Sequence, residues 1–375
     1  MKKTLIAIAA LAATGAFAQS TVTISGTMDA GLSVASVQNA TTGVSDKVSG
    51  FLGNNVATSA INIAATEDLG AGMKASFFIE TNPDMSGTTS TANGAAVAAG
   101  ALSTGSAFGG GQRFVGLSGG FGSIKMGSPN SATLEVIGLS NPYGTALGGG
   151  YSSNFSRLGA AGTAAAVGVQ NRVIRAEKSL RYDTPNMNGF AASYNLSFGN
   201  AVAGAASTTG VQTLGLTYNA GALNVGFATT TAKNSATVAS VAGLNALLST
   251  NTGTLAAGES ISYNALSANY TFGATTVYGG WTTNKRSIVG TEDGSSFNLA
   301  AKYQASGVVA VSANYLKKND ALAAGAGGKV LGLGVDYALS KRTTTYVRYE
   351  KLDTNLAFAG GGERSTYSVG VLHSF

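Results

Sequence analysis

Apolar and polar residues alternate along most of this chain. In "GFAASYNLSFGN", Phe190, Ala192, Tyr194, Leu196 and Phe198 share one parity, and Ala191, Ser193, Asn195 and Ser197 take the other. "MKASFFIE" sets Met73, Ala75, Phe77 and Ile79 against Lys74, Ser76, Phe78 and Glu80. "VLGLGVDYA" sets Leu331, Leu333, Val335 and Tyr337 against glycines and Asp336. A period of two predicts strands with one oily face and one polar face. The final "STYSVGVLHSF" keeps the pattern to its last residue, with Tyr367, Val369, Val371, His373 and Phe375 on one side. Short breaks fall at 67–72, 118–122, 183–189, 219–222, 272–275, 305–307 and 339–342. Longer Gly/Ala/Ser/Thr/Asn-rich stretches lie near 38–55, 83–111, 128–171, 200–210, 233–260, 286–295, 318–329 and 353–364. Seven short links alternating with eight long ones predict about sixteen antiparallel strands, both ends of the sheet on the short-link side.

Composition narrows what such a sheet can be. Charged residues make up 11% of the chain, against about 25% in ordinary globular domains. Glycine reaches 53 residues and hydrophobic residues 44%, yet past the N-terminus no apolar run is long enough for a membrane helix. A soluble β-sandwich explains the alternation. It leaves unexplained the low charge of the polar face and the aromatics recurring at strand ends: Tyr194, Phe198, Tyr218, Tyr270, Phe272, Tyr303, Tyr337, Tyr367 and Phe375. Aromatic girdles at both water interfaces are a property of outer-membrane barrels. In lipid every backbone donor needs a partner, so the sheet must close. The expectation is an all-β transmembrane antiparallel β-barrel.

The N-terminus supplies a compartment. "MKKTLIAIAALAATGAFA" has two lysines, a short apolar stretch and small residues at Ala16 and Ala18. That is the pattern of a secretory signal peptide, 1–18, cleaved after Ala18 to leave a single barrel domain over 19–375. Its apolar run is too short to cross a bilayer. The net charge of +6 falls to +4 once Lys2 and Lys3 depart, an excess too scattered for nucleic acid. Catalysis is excluded on similar grounds. His373 is the only histidine and shares the lipid-face parity of Val371 and Phe375, and there is no cysteine, so neither a Ser-His-Asp triad nor a Cys/His metal site is expected. No cofactor is expected; only oxygen-ligand calcium in the loops stays conceivable.

Six blocks carry a resemblance: "QSTVTISGTMDAGL", "ATEDLGAGMKASFFIE", "RFVGLSGGFGSIKMG", "SLRYDTPNMNGFAASYNLSFG", "LGVDYALSKRTTTYVRYE" and the terminal "SVGVLHSF". In this order they resemble the general porins of Gram-negative bacteria, betaproteobacterial type. The resemblance implies a homotrimer of sixteen-stranded barrels in the outer membrane. Each would be a passive diffusion channel for small hydrophilic solutes and ions, narrowed by the third loop folding into the pore. Two departures stand out. Ala60 occupies the place of an arginine in the second strand, and Gly127-Ser128-Pro129 replaces Gly-Arg-Gln after the fifth. Both arginines would strengthen a basic wall, so a weak anion preference is expected.

Charge on the lipid face is costly, so parity assigns inward directions. Asp29, Lys74, Lys125, Arg181, Lys302, Arg348 and Glu350 face the lumen by this test; Arg113 shares the parity of Val115 and Leu117 and is ambiguous. The stretch from Ser128 to about Arg172 holds the position of the third loop, with Glu135 its one acid before Glu177. The constriction is therefore expected to set Glu135 against Lys74, Arg113, Lys125 and Arg181, with Arg348 and Asp29 also lining the pore. Arg157, Arg172 and Arg175 would extend a basic approach. For each residue the alternative stays open that a polar lumen simply needs polar groups. Two other functions compete: a sugar-specific channel lined by aromatics, and a surface adhesin or structural barrel with a plug. The terminal Tyr367 and Phe375 resemble the signature read by the outer-membrane assembly machinery, which joins outer-membrane lipid as an expected partner.

Overall fold

The computed structural model describes residues 21–39, 44–83, 111–144, 175–176, 178–198, 210–233, 260–286, 294–319, 327–354 and 362–375. Among them the chain forms seventeen strand segments: β1 (Thr21–Asn39), β2 (Ser45–Gly53), β3 (Ala60–Gly70), β4 (Met73–Thr81), β5 (Arg113–Gly119), β6 (Gly122–Ser128), β7 (Ser179–Asp183), β8 (Phe190–Ser197) and β9 (Gly210–Ala220). They continue with β10 (Leu223–Lys233), β11 (Ser260–Phe272), β12 (Thr275–Arg286), β13 (Gly294–Gln304), β14 (Val309–Asn319), β15 (Gly327–Ala338), β16 (Thr343–Thr354) and β17 (Gly362–Ser374). One short helix, α1 (Ala132–Gly138), interrupts the series after β6.

Each strand pairs antiparallel with its neighbours, and β17 returns to β1, so the sheet closes on itself. β1 pairs with β2 along its later half and with β3 along its earlier half. β2 and β3 are thus one broken strand, which makes a closed barrel of sixteen. The stretch 38–55, expected as a loop, is for the most part strand: β1 runs to Asn39 and β2 spans Ser45–Gly53. Its Ser/Gly/Asn composition hides the alternation that pairing with β1 enforces. The seven short links fall where the breaks in the pattern put them. They share one end of the barrel with Thr21 and Phe375.

The alternation maps onto the two faces. On β1, Ile24, Leu32 and Val34 point outward while Asp29 and Ser33 are buried on the inside. On β17, Tyr367, Val369, Val371 and Phe375 are exposed outward while Thr366 and Ser368 are buried inward. His373 also faces outward, its Nδ1 3.0 Å from the Thr343 hydroxyl. The seam is closed to the last residue. The Gly26 N–H donates to the Phe375 carbonyl at 3.0 Å, and the Phe375 N–H donates back at 3.0 Å. The Phe375 ring lies where a Cβ on Gly26 would stand, so a glycine is needed at that close approach.

Candidate functional site

The lumen is defined by the inward parity and by the segment 129–144. Ser131 caps α1, its hydroxyl accepting from the Leu134 N–H at 3.3 Å. The buried face of α1, Ala132, Thr133, Val136 and Ile137, lies against inward side chains of the wall. Val136 and Ile137 pack with Val211, Ala228, Ala232, Tyr263 and Ala265 of β9 to β11. The Thr133 and Thr230 hydroxyls meet at 2.6 Å. Beyond the helix the segment continues round the wall. Asn269 on β11 donates to the Leu139 carbonyl at 3.1 Å, and Asn298 on β13 donates to the Ser140 carbonyl at 2.5 Å.

The wall under this segment is built from small residues. A Cβ on Gly226 would come 2.9 Å from Val136, and one on Gly280 would strike Ser140. Gly215 sits beneath Ala132 and Gly334 beneath Tyr143 in the same way. Such contacts are tighter than van der Waals packing tolerates, so side chains at these wall positions would lift the segment.

Charge ties down both ends. At the start, Arg181 on β7 grips Glu135 bidentately, Nη1 to Oε1 at 2.7 Å and Nη2 to Oε2 at 2.8 Å. Its Nη1 also donates to the Asn130 carbonyl at 2.5 Å, and its Nε to Asp183 Oδ1 at 2.6 Å. The Lys125 ammonium reaches Asp183 Oδ2 at 2.9 Å. Two bases and two acids thus form one compact network, with Glu135 half exposed toward the opening. At the far end Tyr143 lies over the Arg348 guanidinium, 5.4 Å from its ring centroid, with Tyr346 on it at 5.6 Å. Burial pushes the Tyr143 phenol up to about 12, so that contact stays a neutral ring on a cation. Arg348 also pairs with Asp336 at 2.6 Å.

The expected site residues scatter over this frame. Glu135, Arg181 and Lys125 come together. Lys74 faces inward at the short-turn end of β4, opposite Asp68, and stands apart from that network. Arg348 faces inward but is buried under Tyr143 rather than lining the opening. Asp29 is a correction: it points inward yet is completely buried. Its Oδ2 accepts from the Val56 and Ala57 N–H groups at 2.6 and 3.0 Å, and its Oδ1 from the Tyr346 hydroxyl at 2.6 Å. It clamps the detour 54–59 that breaks β2 from β3. Arg113 is a second correction. It lies exposed on the outward parity with Val115 and Leu117, so it does not face Glu135. Lys302 faces inward 4.0 Å from Asp336, and Glu350 is buried against Arg364 at 3.0 Å. Arg157 and Arg172 lie outside the described residues. Among the described residues no cluster of three or more His, Cys, Asp or Glu could hold a metal.

Sequence reasoning passed over Asp183, Asp336, Tyr143 and Tyr346. Asp183 was within reach, because it lies two residues from Arg181 and shares its parity. It also passed over Phe78 and Phe114, an inward pair stacked at 5.8 Å with the Lys125 ammonium 5.5 Å from the Phe114 ring. Ala60 takes an inward register opposite Thr27, where an arginine would have reached the lumen.

A closed barrel with a polar inside, an apolar outside and a segment laid along its inner wall defines a channel-type membrane protein. The model of the Gram-negative porin family matches residues 4–356, and the chain belongs to that family. "Outer membrane porin protein 32" of Delftia acidovorans is 31% identical over 392 residues, covering 100% of both chains. Among solved structures, the "anion-selective porin from Comamonas acidovorans" superposes with a TM-score of 0.70 over 95% of this chain and 100% of that one, at 23% identity. The trimer form of in-vitro folded OmpT from Vibrio cholerae gives 0.62 at 13% identity, over 95% and 99%. Family and barrel together place the protein in the outer membrane.

Proposed function

We propose that the protein is a passive diffusion channel for small hydrophilic solutes and ions, with weak anion preference, and that it works as a homotrimer. The observation that carries this reading is the closed barrel with a polar inside and α1 lying on it against β8 to β11, with no comparable approach of α1 to β3 to β6 among the described residues. On that arc Lys74 stands opposite Asp68, Lys125 is tied to Asp183 and Glu80 also points inward, while the one acid of α1, Glu135, is tied to Arg181. Charge in a narrow pore biases permeation by sign through a focused potential rather than by binding, and this near balance of bases and acids fits a preference that is weak. The likeness to an anion-selective porin and to a trimeric relative supports both parts.

Planar-bilayer reconstitution tests it. Large stepwise conductance with a zero-current potential of anion sign is the expected result. Cation preference overturns the electrostatic part, and absence of conductance overturns the channel. Residues 1–18 are assigned to export, with Gln19 as the mature N-terminus, which N-terminal sequencing of the outer-membrane protein checks. Phe375, through its two bonds to Gly26, is proposed as both closing residue and recognition end for the assembly machinery. Its deletion should lower the yield of folded barrel while leaving the conductance of the surviving channels unchanged.

A further inference from the structure

Two phenylalanines depart from the polar character of the lumen. Phe78 on β4 and Phe114 on β5 face inward as register partners, their ring centroids 5.8 Å apart and their planes 11° from parallel. The other strand phenylalanines among the described residues take the outward parity. The inward Tyr263 and Tyr346 are buried, whereas Phe78 and Phe114 are half-buried and have no polar atom to present to water. A ring left partly wet gains only part of its burial energy, and a flat solute laid on it would supply the rest.

The neighbours of the pair keep it accessible and give it polarity. Across the sheet the row runs Ala64, Phe78, Phe114, Gly127, with small residues on both sides. One step toward the short turns the row is Thr66, Ser76, Gly116, Lys125. The Lys125 stem lies across Gly116, where a Cβ would stand 3.4 Å from its Cγ. The ammonium comes 5.5 Å from the Phe114 ring centroid. Asp183 takes one of its three donors at 2.9 Å, and the side chain is 29% exposed. Diagonally opposite, past Phe78, the Glu80 carboxylate accepts from Asn82 Nδ2 at 2.9 Å and from the Gln112 N–H at 3.3 Å. The result is an apolar floor with a basic corner and an acidic corner.

We propose that Phe78, Phe114 and Lys125 form a subsite for small aromatic carboxylates in the lumen. The solute ring lies on the two phenyl rings, where offset stacking adds to the area buried. Its carboxylate points away from Glu80 and accepts a charge-assisted hydrogen bond from the Lys125 ammonium. The subsite rests on the channel reading for access, and it sorts anions by their rings as well as by their charge. A saturated ring of the same charge keeps the ion contact and loses the stacking.

The test uses the refolded mature chain in detergent, with dissociation constants from ligand-observed NMR titrations corrected against empty micelles. The probes are benzoate, cyclohexanecarboxylate and benzyl alcohol. Benzoate should bind about fivefold more tightly than cyclohexanecarboxylate, the size of one aromatic pair contact. Phe78→Leu with Phe114→Leu keeps the floor apolar and should bring the two carboxylates to parity. Lys125→Gln should weaken both carboxylates about tenfold, near the lower end for hydrogen bonds to charged groups, and leave benzyl alcohol binding as it was. The subsite is overturned by equal binding of the two carboxylates to the parent chain, or by a ring preference that survives in the leucine double variant. Benzyl alcohol binding as tightly as benzoate, or carboxylate binding unmoved in the lysine variant, overturns it equally. If the double variant does not fold, Phe114→Leu alone decides, by loss of most of the ring preference. Bilayer conductance of the same preparation separates the two readings. A conducting chain without ring preference loses the subsite alone, and a ring-selective chain without conductance loses the channel alone.

Discussion

Two arcs of the same inner wall solve different problems. Under α1 and the chain that follows it, β9 to β15 present Gly215, Gly226, Ala228, Thr230, Ala265, Gly280 and Gly334. On β4 to β6 the inward positions hold Lys74, Phe78, Glu80, Phe114 and Lys125. The first set is small and neutral because something must lie on it, and every polar atom under the segment needs a partner. The second set is large or charged, as the proposed channel reading requires of positions that meet the permeating solution. An inward parity alone therefore does not mean pore-lining. Size at the inward position distinguishes much of the seat from the other arc, with Tyr263 a large exception under α1.

The largest expected effect comes from cutting the tie between the arcs. Arg181→Ala leaves Glu135 and Asp183 without their common partner and should lower stability by about 2–3 kcal/mol, somewhat under the cost of breaking a wholly buried pair because Glu135 is half exposed. Urea unfolding in micelles measures it, and the zero-current potential should move toward cations as two acids are uncovered. Unchanged selectivity would mean the network lies outside the constriction.

Overfilling the seat comes next. Gly226→Val should cost about 1–3 kcal/mol and push α1 toward the β4 to β6 arc, lowering single-channel conductance. Adding Val136→Ala to the same chain should restore much of it; a double variant no better than the single would deny that the seat sets the aperture. Charge reversal on the β4 to β6 arc is milder for stability. Lys74→Glu with Lys125→Glu should shift the reversal potential toward cation selectivity, and no shift would remove both from the constriction. The smallest effect is expected from Phe114→Ala. Facing the opening rather than the segment, it should raise conductance slightly, with a stability loss below the about 3–5 kcal/mol of a fully packed core phenylalanine. A full core-sized loss would place it in the seat instead.

Much of this was legible in the pattern of residues. Strand number, the short turns and the inside–outside sense of β4, β8, β15 and β17 follow from a period of two. The burial of Asp29 does not, because parity reports direction and not what lies on top. The detour 54–59 that covers it has no periodic signature, and its anchors, Asn54, Asn55 and Ser59, read as an ordinary loop. Arg113 carried its answer in the parity of Val115 and Leu117, which outweighs the preference of arginine for the lumen. Tyr143 could not be placed, since its partner Arg348 lies 205 positions away in the chain.

The detour has a consequence for how such a wall can change. From Gly53 to Ala60 the second strand advances seven residues while its partner goes only from Ala30 to Thr27, three, so four residues are extra. Four is even, and everything beyond the interruption keeps its sense: Ile63 still faces lipid opposite Ile24, and Asn62 still faces water opposite Ser25. An odd number would have turned the rest of the strand inside out. Residues can therefore be added to this wall in pairs, like extra stitches taken on one row, without the fabric changing its right side.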